Sequence, residues 1–190
     1  IFVARRNLGE SDNCLFFHGD LQRLPFARDF ADLVVCLGVL HHLPTPCLDE
    51  VRNLKRFAPR LLVYLYYDLD NRPIYFRTLL NIVTFARSWV SRIQKPTFRT
   101  RFSRVVTVLM YLPLIYLGQL LEKFRLGRYV PIFEAYHGSS IKRVEQDVYD
   151  RFFTSIEQRV SRREILELRD TFAGITVSDC PPYWHFICQR

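Results

Sequence analysis

Hydrophobic and polar positions alternate in kind along this chain in a way that predicts most of its elements. Asp32 is followed by Leu33, Val34, Val35, Cys36 and Leu37, an unbroken apolar run rich in β-branched residues, and then by Gly38. A charge before such a run and a glycine after it predict a strand buried on both faces of a parallel sheet. Pro44 and Pro46 punctuate the exit. Leu48, Val51, Leu54 and Phe57 then recur every third residue, which predicts a helix over residues 46–57 with one buried face. Residues 61–67 (LLVYLYY) form a second strongly apolar strand. Upstream, residues 1–7 read as the last turns of a helix stopped by Gly9, and residues 14–17 as a short apolar strand ended by His18, Gly19 and Asp20. The order helix, strand, strand, helix, strand predicts a doubly wound α/β sheet. Its sharp turn after Leu37 falls at the carboxyl end of a central strand, where open α/β sheets place ligands.

The pattern changes at Pro73. Residues 73–93 predict a helix with many apolar positions, among them Leu79, Leu80, Ile82, Val83, Trp89 and Ile93, interrupted by Arg77, Arg87 and Arg92. Residues 94–104 read as a polar link. Residues 105–121 are then apolar over 17 positions, with Thr107, Gly118 and Gln119 the exceptions. This is too long for an ordinary strand-to-strand connection and predicts an inserted helical subdomain. Composition becomes mixed again from Pro131. Residues 145–153 read as a loop or short helix. Ser161 and Glu164 have the spacing of a capping box. Residues 176–178 and 183–188 predict a closing β-hairpin around Pro181 and Pro182. The expected organisation is a partial core over 1–71, a helical lid or membrane-facing insertion over 72–130, and the rest of the core over 131–190.

Composition adds little to the fold but constrains the chemistry. At 190 residues, 49% hydrophobic and 24% charged, the chain is long enough for one domain with a substantial core. Its five cysteines show no CxxC spacing, so neither a zinc site nor a disulfide framework is expected, and a reducing, cytoplasmic setting is. Arg5 and Arg6 interrupt the only apolar start, so no secretory pattern is read there.

Charge changes the picture more. Residues 72–128 hold eleven Lys or Arg and one acid, a local +10 in a chain of net +8, which leaves −2 elsewhere. An electrostatic partner should therefore meet the insertion. The 17-residue apolar run contains Pro113 and Gly118 and falls short of the roughly 20 residues of a membrane span. A buried lid helix is the first expectation. A pair of membrane-surface helices against anionic lipid, giving peripheral membrane contact through 72–128, is the second. Nucleic acid is disfavoured, because the aromatics follow the apolar faces rather than interleaving with the basic residues.

Three segments in this order carry a likeness: HGDLQRLPF at 18–26, FADLVVCLGVLHHLP at 30–44, and LLVYLYY at 61–67. Together they resemble the middle of the class I S-adenosylmethionine-dependent methyltransferases, in the branch whose post-strand segment is a variant of LHH. The resemblance covers residues 1 to about 70, returns loosely over 161–190, and treats 72–128 as a family-type insertion. It implies a Rossmann-like sheet and S-adenosylmethionine as cofactor. Asp20 then matches the acid that accepts from the adenine amino group, a role suited to an acceptor-only carboxylate, with Leu21 beside the ring. Leu37 and Gly38 match the backbone facing the methionine end, which Gly38 admits by lacking a Cβ. Asp20 could equally cap a turn after a strand.

His41 and His42 would border the reaction centre. Adjacent on a helix, they point about 100° apart and cannot clamp one metal, so no metal is expected. His42 is the candidate general base for a hydroxyl acceptor, and packing is the other reading. His41 and Tyr67 are candidate acceptor contacts. Tyr66, Tyr136, Tyr149, Tyr183, Trp184 and His185 are further aromatics that could line an acceptor pocket. Two family features are missing: an opening strand with a glycine-rich turn, and a second strand ending in an acid. Gly9 and Gly19 form no GxG. The resemblance thus implies an amino-terminally truncated core that binds cofactor poorly as it stands. The expected function is methyl transfer to a small or lipophilic acceptor. The alternative is a non-catalytic, methyltransferase-like module that binds a membrane or protein partner through the basic insertion.

Overall fold

The computed structural model describes residues 1–9, 13–70, 72–179 and 184–190. In chain order its elements are α1 (Phe2–Leu8), β1 (Val34–Leu37), α2 (Cys47–Leu54), β2 (Arg60–Leu65), α3 (Ile74–Val90), α4 (Pro96–Val106), α5 (Leu112–Glu122), α6 (Phe133–Tyr136), α7 (Ile141–Phe153), α8 (Arg162–Glu167), β3 (Gly174–Val177) and β4 (Trp184–Gln189). The strands form one mixed sheet in the order β1-β2-β4-β3. β1 and β2 are parallel, with Val34 opposite Leu61 and Leu37 opposite Tyr64. β4 runs antiparallel to both β2 and β3. The β1–α2–β2 crossover and the antiparallel pairing of β3 with β4 form as the local patterns predict. Tyr183, and Pro181 and Pro182 around which the sequence predicts the hairpin, lie outside the described residues.

The period-2 alternation along β2 decides where the core sits. Leu61, Val63 and Leu65 are buried on one face. They join Cys36, Val51, Leu54, Ile165, Leu168 and Phe186 in one cluster, so α2 and α8 cover that face. On the other face Val35, Leu37 and Ile187 stand exposed. Among the described residues the helical cover is thus one-sided, where a doubly wound arrangement has helices on both faces.

The strand expected at 14–17 does not form. Leu15 is 83% and Phe17 63% exposed. An extended segment becomes a strand only where a neighbour takes its N–H and C=O groups, and this one has no such neighbour among the described residues. Phe17 instead sets its ring edge against Phe26, 5.1 Å away.

The insertion is helical, but two expectations for it change. Residues 94–104 are not a link. Pro96 starts α4 at a position where its missing N–H costs nothing, and the helix runs on to Glu122 over 27 residues. Thr107–Tyr111 is a π-helical turn within it, closed by the Leu112 N–H on the Thr107 carbonyl. Pro113 follows and offers no N–H to the carbonyl one turn back, so the ladder widens beside it. Nor is the apolar run a buried helix, since only 28% of its most apolar window is buried. Its inward positions, Val106, Tyr111 and Ile115, meet Val144, Val148 and Phe152 of α7 in a second apolar cluster. α7 itself begins at Ile141, earlier than the 145–153 reading, because Ser140 caps it by accepting from the Arg143 N–H. The capping box at Ser161 and Glu164 forms as its spacing predicts.

Candidate functional site

The turn after β1 is built from backbone upward. Gly38 sits at φ 76°, a conformation L side chains rarely adopt. A Cβ there would lie 3.6 Å from the Tyr64 ring, so the backbone angle rather than space requires glycine. Leu40–His42 then form a 3-10 turn. This turn rolls His41 inward until it is fully buried.

His41 stacks on Tyr66 with ring centroids 4.0 Å apart and lies 4.1 Å from His42. Tyr64 stacks on His185 at 4.8 Å and meets the Tyr66 edge at 6.0 Å. The carboxyl ends of β1 and β2 thus carry an aromatic cluster of His41, His42, Tyr64, Tyr66 and His185. Among the described residues neither ring nitrogen of His41 has a hydrogen-bond partner. Burial, then the neighbouring His42, push its pKa down to about 4, which keeps it neutral near pH 7. His42 differs. Its Nδ1 lies 2.8 Å from the Ile156 carbonyl oxygen. A carbonyl only accepts, so Nδ1 carries the proton, and in the neutral ring Nε2 keeps a lone pair.

Residues 156–160 hold this turn from the far end of the sequence. The Gln158 N–H donates to the His41 carbonyl at 2.9 Å. Its side chain accepts from the Cys47 N–H and donates to the Leu43 and Thr45 carbonyls. Beside it, Glu157 is buried between Arg87 at 2.6 Å and Arg159 at 2.5 Å. Burial alone would raise the Glu157 pKa, but Arg159, Arg87 and Arg151 outweigh it and hold it below the ordinary carboxylate value. Arg159 lies over the Tyr66 ring and donates to the Tyr67 carbonyl.

The remaining candidates fall in two places. Asp20 caps the Leu21–Arg23 turn, accepting from the Gln22 N–H at 3.0 Å. Gln22 then donates to Thr45 and Glu50, which ties the Asp20 turn to the start of α2. Leu21 packs against the core, and Leu37 is half exposed on the uncovered sheet face. Tyr67 points away from the histidine cluster. It is buried, its ring edge meets Trp184, and its hydroxyl accepts from Arg72 Nε at 3.4 Å. Tyr136 belongs to the second apolar cluster, and Tyr149 packs beside it. Among the described residues no three His, Cys, Asp or Glu side chains gather to hold a metal.

Tyr64, Glu157 and Gln158 escaped sequence reasoning as site residues. Tyr64 had a signal, since it alternates with Tyr66 along a strand that ends at the site. Glu157 and Gln158 had none, because Arg87 and the turn at 41–47 that they hold lie 70 or more residues away.

Residues 1–57 match the family model described as a methyltransferase domain. The matched stretch holds Asp20, Leu37, Gly38 and both histidines. The mixed α/β sheet is compatible with a Rossmann-like methyltransferase. No curated protein and no solved structure matches the chain.

Proposed function

We propose that this chain is the core of a class I enzyme that transfers a methyl group from S-adenosylmethionine to a small or lipophilic acceptor. The observation that carries the reading is the turn at 38–42 inside the matched stretch. It combines a left-handed, side-chain-free Gly38 with a fully buried His41 whose two nitrogens have no partner among the described residues. A buried polar group left unpaired costs about 1–3 kcal/mol, and such groups in native proteins call for a ligand or water. The residues present fit the cofactor at two points. Asp20 is an acceptor with only one of its oxygens engaged among the described residues, which suits the adenine amino group, with Leu21 beside the ring. Leu37 and Gly38 would face the methionine end, with no side chain at Gly38 in the way.

The bound sulfonium would supply an electrophilic methyl group, and positioning then supplies much of the rate. The chain's own residues do the rest. His42 Nε2 takes the proton of a hydroxyl or acidic carbon acceptor, with Ile156 fixing its tautomer. His41, stacked on Tyr66, is proposed to border the acceptor, whereas Tyr67 faces away toward the insertion. Calorimetric titration of S-adenosylmethionine tests the reading, applied to these 190 residues and to the longest natural translation product that contains them. Binding by neither would contradict it.

A second reading has its own observation. Phe85 is 70% and Trp89 63% exposed on α3, one turn apart, and Leu109, Tyr116 and Leu120 are exposed along the 96–122 helix. Exposed apolar stripes in a segment of local charge +10 favour an anionic lipid surface. We propose peripheral membrane contact for a cytoplasmic protein, with or without catalysis. Flotation with phosphatidylserine vesicles, compared with neutral vesicles, tests it, and equal partition to both would count against the charge argument.

A further inference from the structure

A cavity of about 130 Å³ lies between the end of β2 and the helices of the insertion. Its two kinds of wall are chemically distinct. Leu79, Leu80 and Val83 of α3, with Met110 and Leu114 of the 96–122 helix, make an apolar side. The other side is a polar group around Tyr67. Arg72 donates from Nε to the Tyr67 hydroxyl and pairs with Glu134, and its side chain is only 11% exposed. Arg159 donates to the Tyr67 carbonyl at 3.1 Å. Arg128 and Arg151 complete the basic wall, in which Glu134 is the single carboxylate. Behind it Glu157 is already shared by Arg87 and Arg159, and Asp147 stands close enough to Arg151 to feel its charge.

Two further residues of the wall are held in an unfavourable backbone conformation. Leu69 has φ 54° and Ile132 φ 64°, and both line the cavity. A left-handed β-branched residue is an outlier, and such strain gathers at ligand sites. Apolar walls with a few convergent polar groups are also the usual form of a small-molecule site.

We propose that this cavity binds an amphipathic acid. The apolar chain lies against α3 and the 96–122 helix, and one oxyanion head, carboxylate or phosphate, meets Arg128 and the Arg72–Tyr67–Arg159 group. Planar guanidinium groups suit either head, and a half-buried position strengthens the contact. Neither His41 nor His42 lines this cavity, so the ligand is assigned no part in methyl transfer. Its binding needs no cofactor.

The test is calorimetric titration of the 190-residue chain, without S-adenosylmethionine, using sodium octanoate, octyl phosphate, octan-1-ol and sodium acetate. At least one octyl anion should bind ten or more times tighter than octan-1-ol, and acetate should show no heat. The two octyl anions distinguish the heads. Val83→Trp, which fills the apolar side, should abolish binding with the far-ultraviolet spectrum unchanged. Arg128→Gln should weaken the anion three- to tenfold and leave octan-1-ol unaffected. It alters an exposed side chain, so it decides the matter even if Val83→Trp unfolds. Equal affinity for octan-1-ol and both anions, or anion binding unchanged by Arg128→Gln, overturns the proposal. Anion binding without S-adenosylmethionine binding by any form of the protein would leave this site standing and remove the methyl-transfer reading.

Discussion

Gln158 and His41 are joined by a hydrogen bond of 2.9 Å from backbone N–H to backbone carbonyl, across 117 residues of sequence. The Gln158 side chain adds three more bonds, to Cys47, Leu43 and Thr45. One residue thus fixes both ends of the segment that carries the histidines. Gln158→Ala removes the three side-chain bonds and leaves half-buried backbone groups unpaired, so it should destabilise the chain by about 2–4 kcal/mol. Urea denaturation measures this. A loss under about 0.5 kcal/mol would mean that the latch matters little.

The buried His41 makes stability depend on pH. Its pKa is about 4 in the folded chain against 6.5 for the free side chain. The unfolded chain therefore binds a proton that the folded chain refuses. Stability is complete above about pH 6.5 and falls as pH drops from there toward 4, by roughly 3 kcal/mol at most. Glu157, whose pKa is lowered, adds a further loss at the acid end as it is protonated. His41→Phe should flatten the slope between pH 6.5 and 4.5. Denaturation curves at several pH values check this, and parallel slopes for the two proteins would contradict it.

Gly118 sits on α5 where a Cβ would stand well inside contact distance of two ring carbons of Phe133. Gly118→Ala should therefore destabilise the helical insertion by about 1–3 kcal/mol through overpacking, even though alanine is the better helix former. Thermal melting followed by circular dichroism reads the effect. A raised melting temperature would show that Phe133 can move aside.

For catalysis, His42 and Ile156 make a specific prediction. With Nδ1 donating to the carbonyl, His42→Gln can keep that donor through its amide but has no basic lone pair. Turnover of a hydroxyl acceptor should fall by about 100-fold or more, with S-adenosylmethionine affinity nearly unchanged. An unaltered rate would assign His42 to packing alone.

Much of the fold was legible because it depends on local pattern. The apolar run before Gly38, the three-residue spacing of α2 and the Ser161–Glu164 box each predict an element from adjacent residues. The failures share a physical cause. Whether residues 14–17 form a strand depends on a partner for their backbone, and whether residues 105–121 are buried depends on what lies over them. Neither is written in the segment itself. The same holds at the site. Gly38 and His41 announce themselves by residue type, whereas the clamp by Glu157, Gln158 and Arg159 exists only after the chain has closed on itself. Tyr67 was legible as the last residue of an apolar run. Its placement opposite the histidines follows from strand alternation, Tyr66 facing one way and Tyr67 the other.

The central claim is cofactor binding at the matched stretch, and one comparison tests it most directly. S-adenosylmethionine is titrated calorimetrically into the longest natural translation product containing these residues, and into its Asp20→Ala variant. The account predicts saturable binding that weakens at least tenfold in the variant, with a far-ultraviolet spectrum that stays the same. Unchanged affinity in the variant would show that Asp20 only caps the Leu21–Arg23 turn. No binding by either protein would contradict methyl transfer and leave the proposed lipid contact through residues 72–128 as the reading still to test.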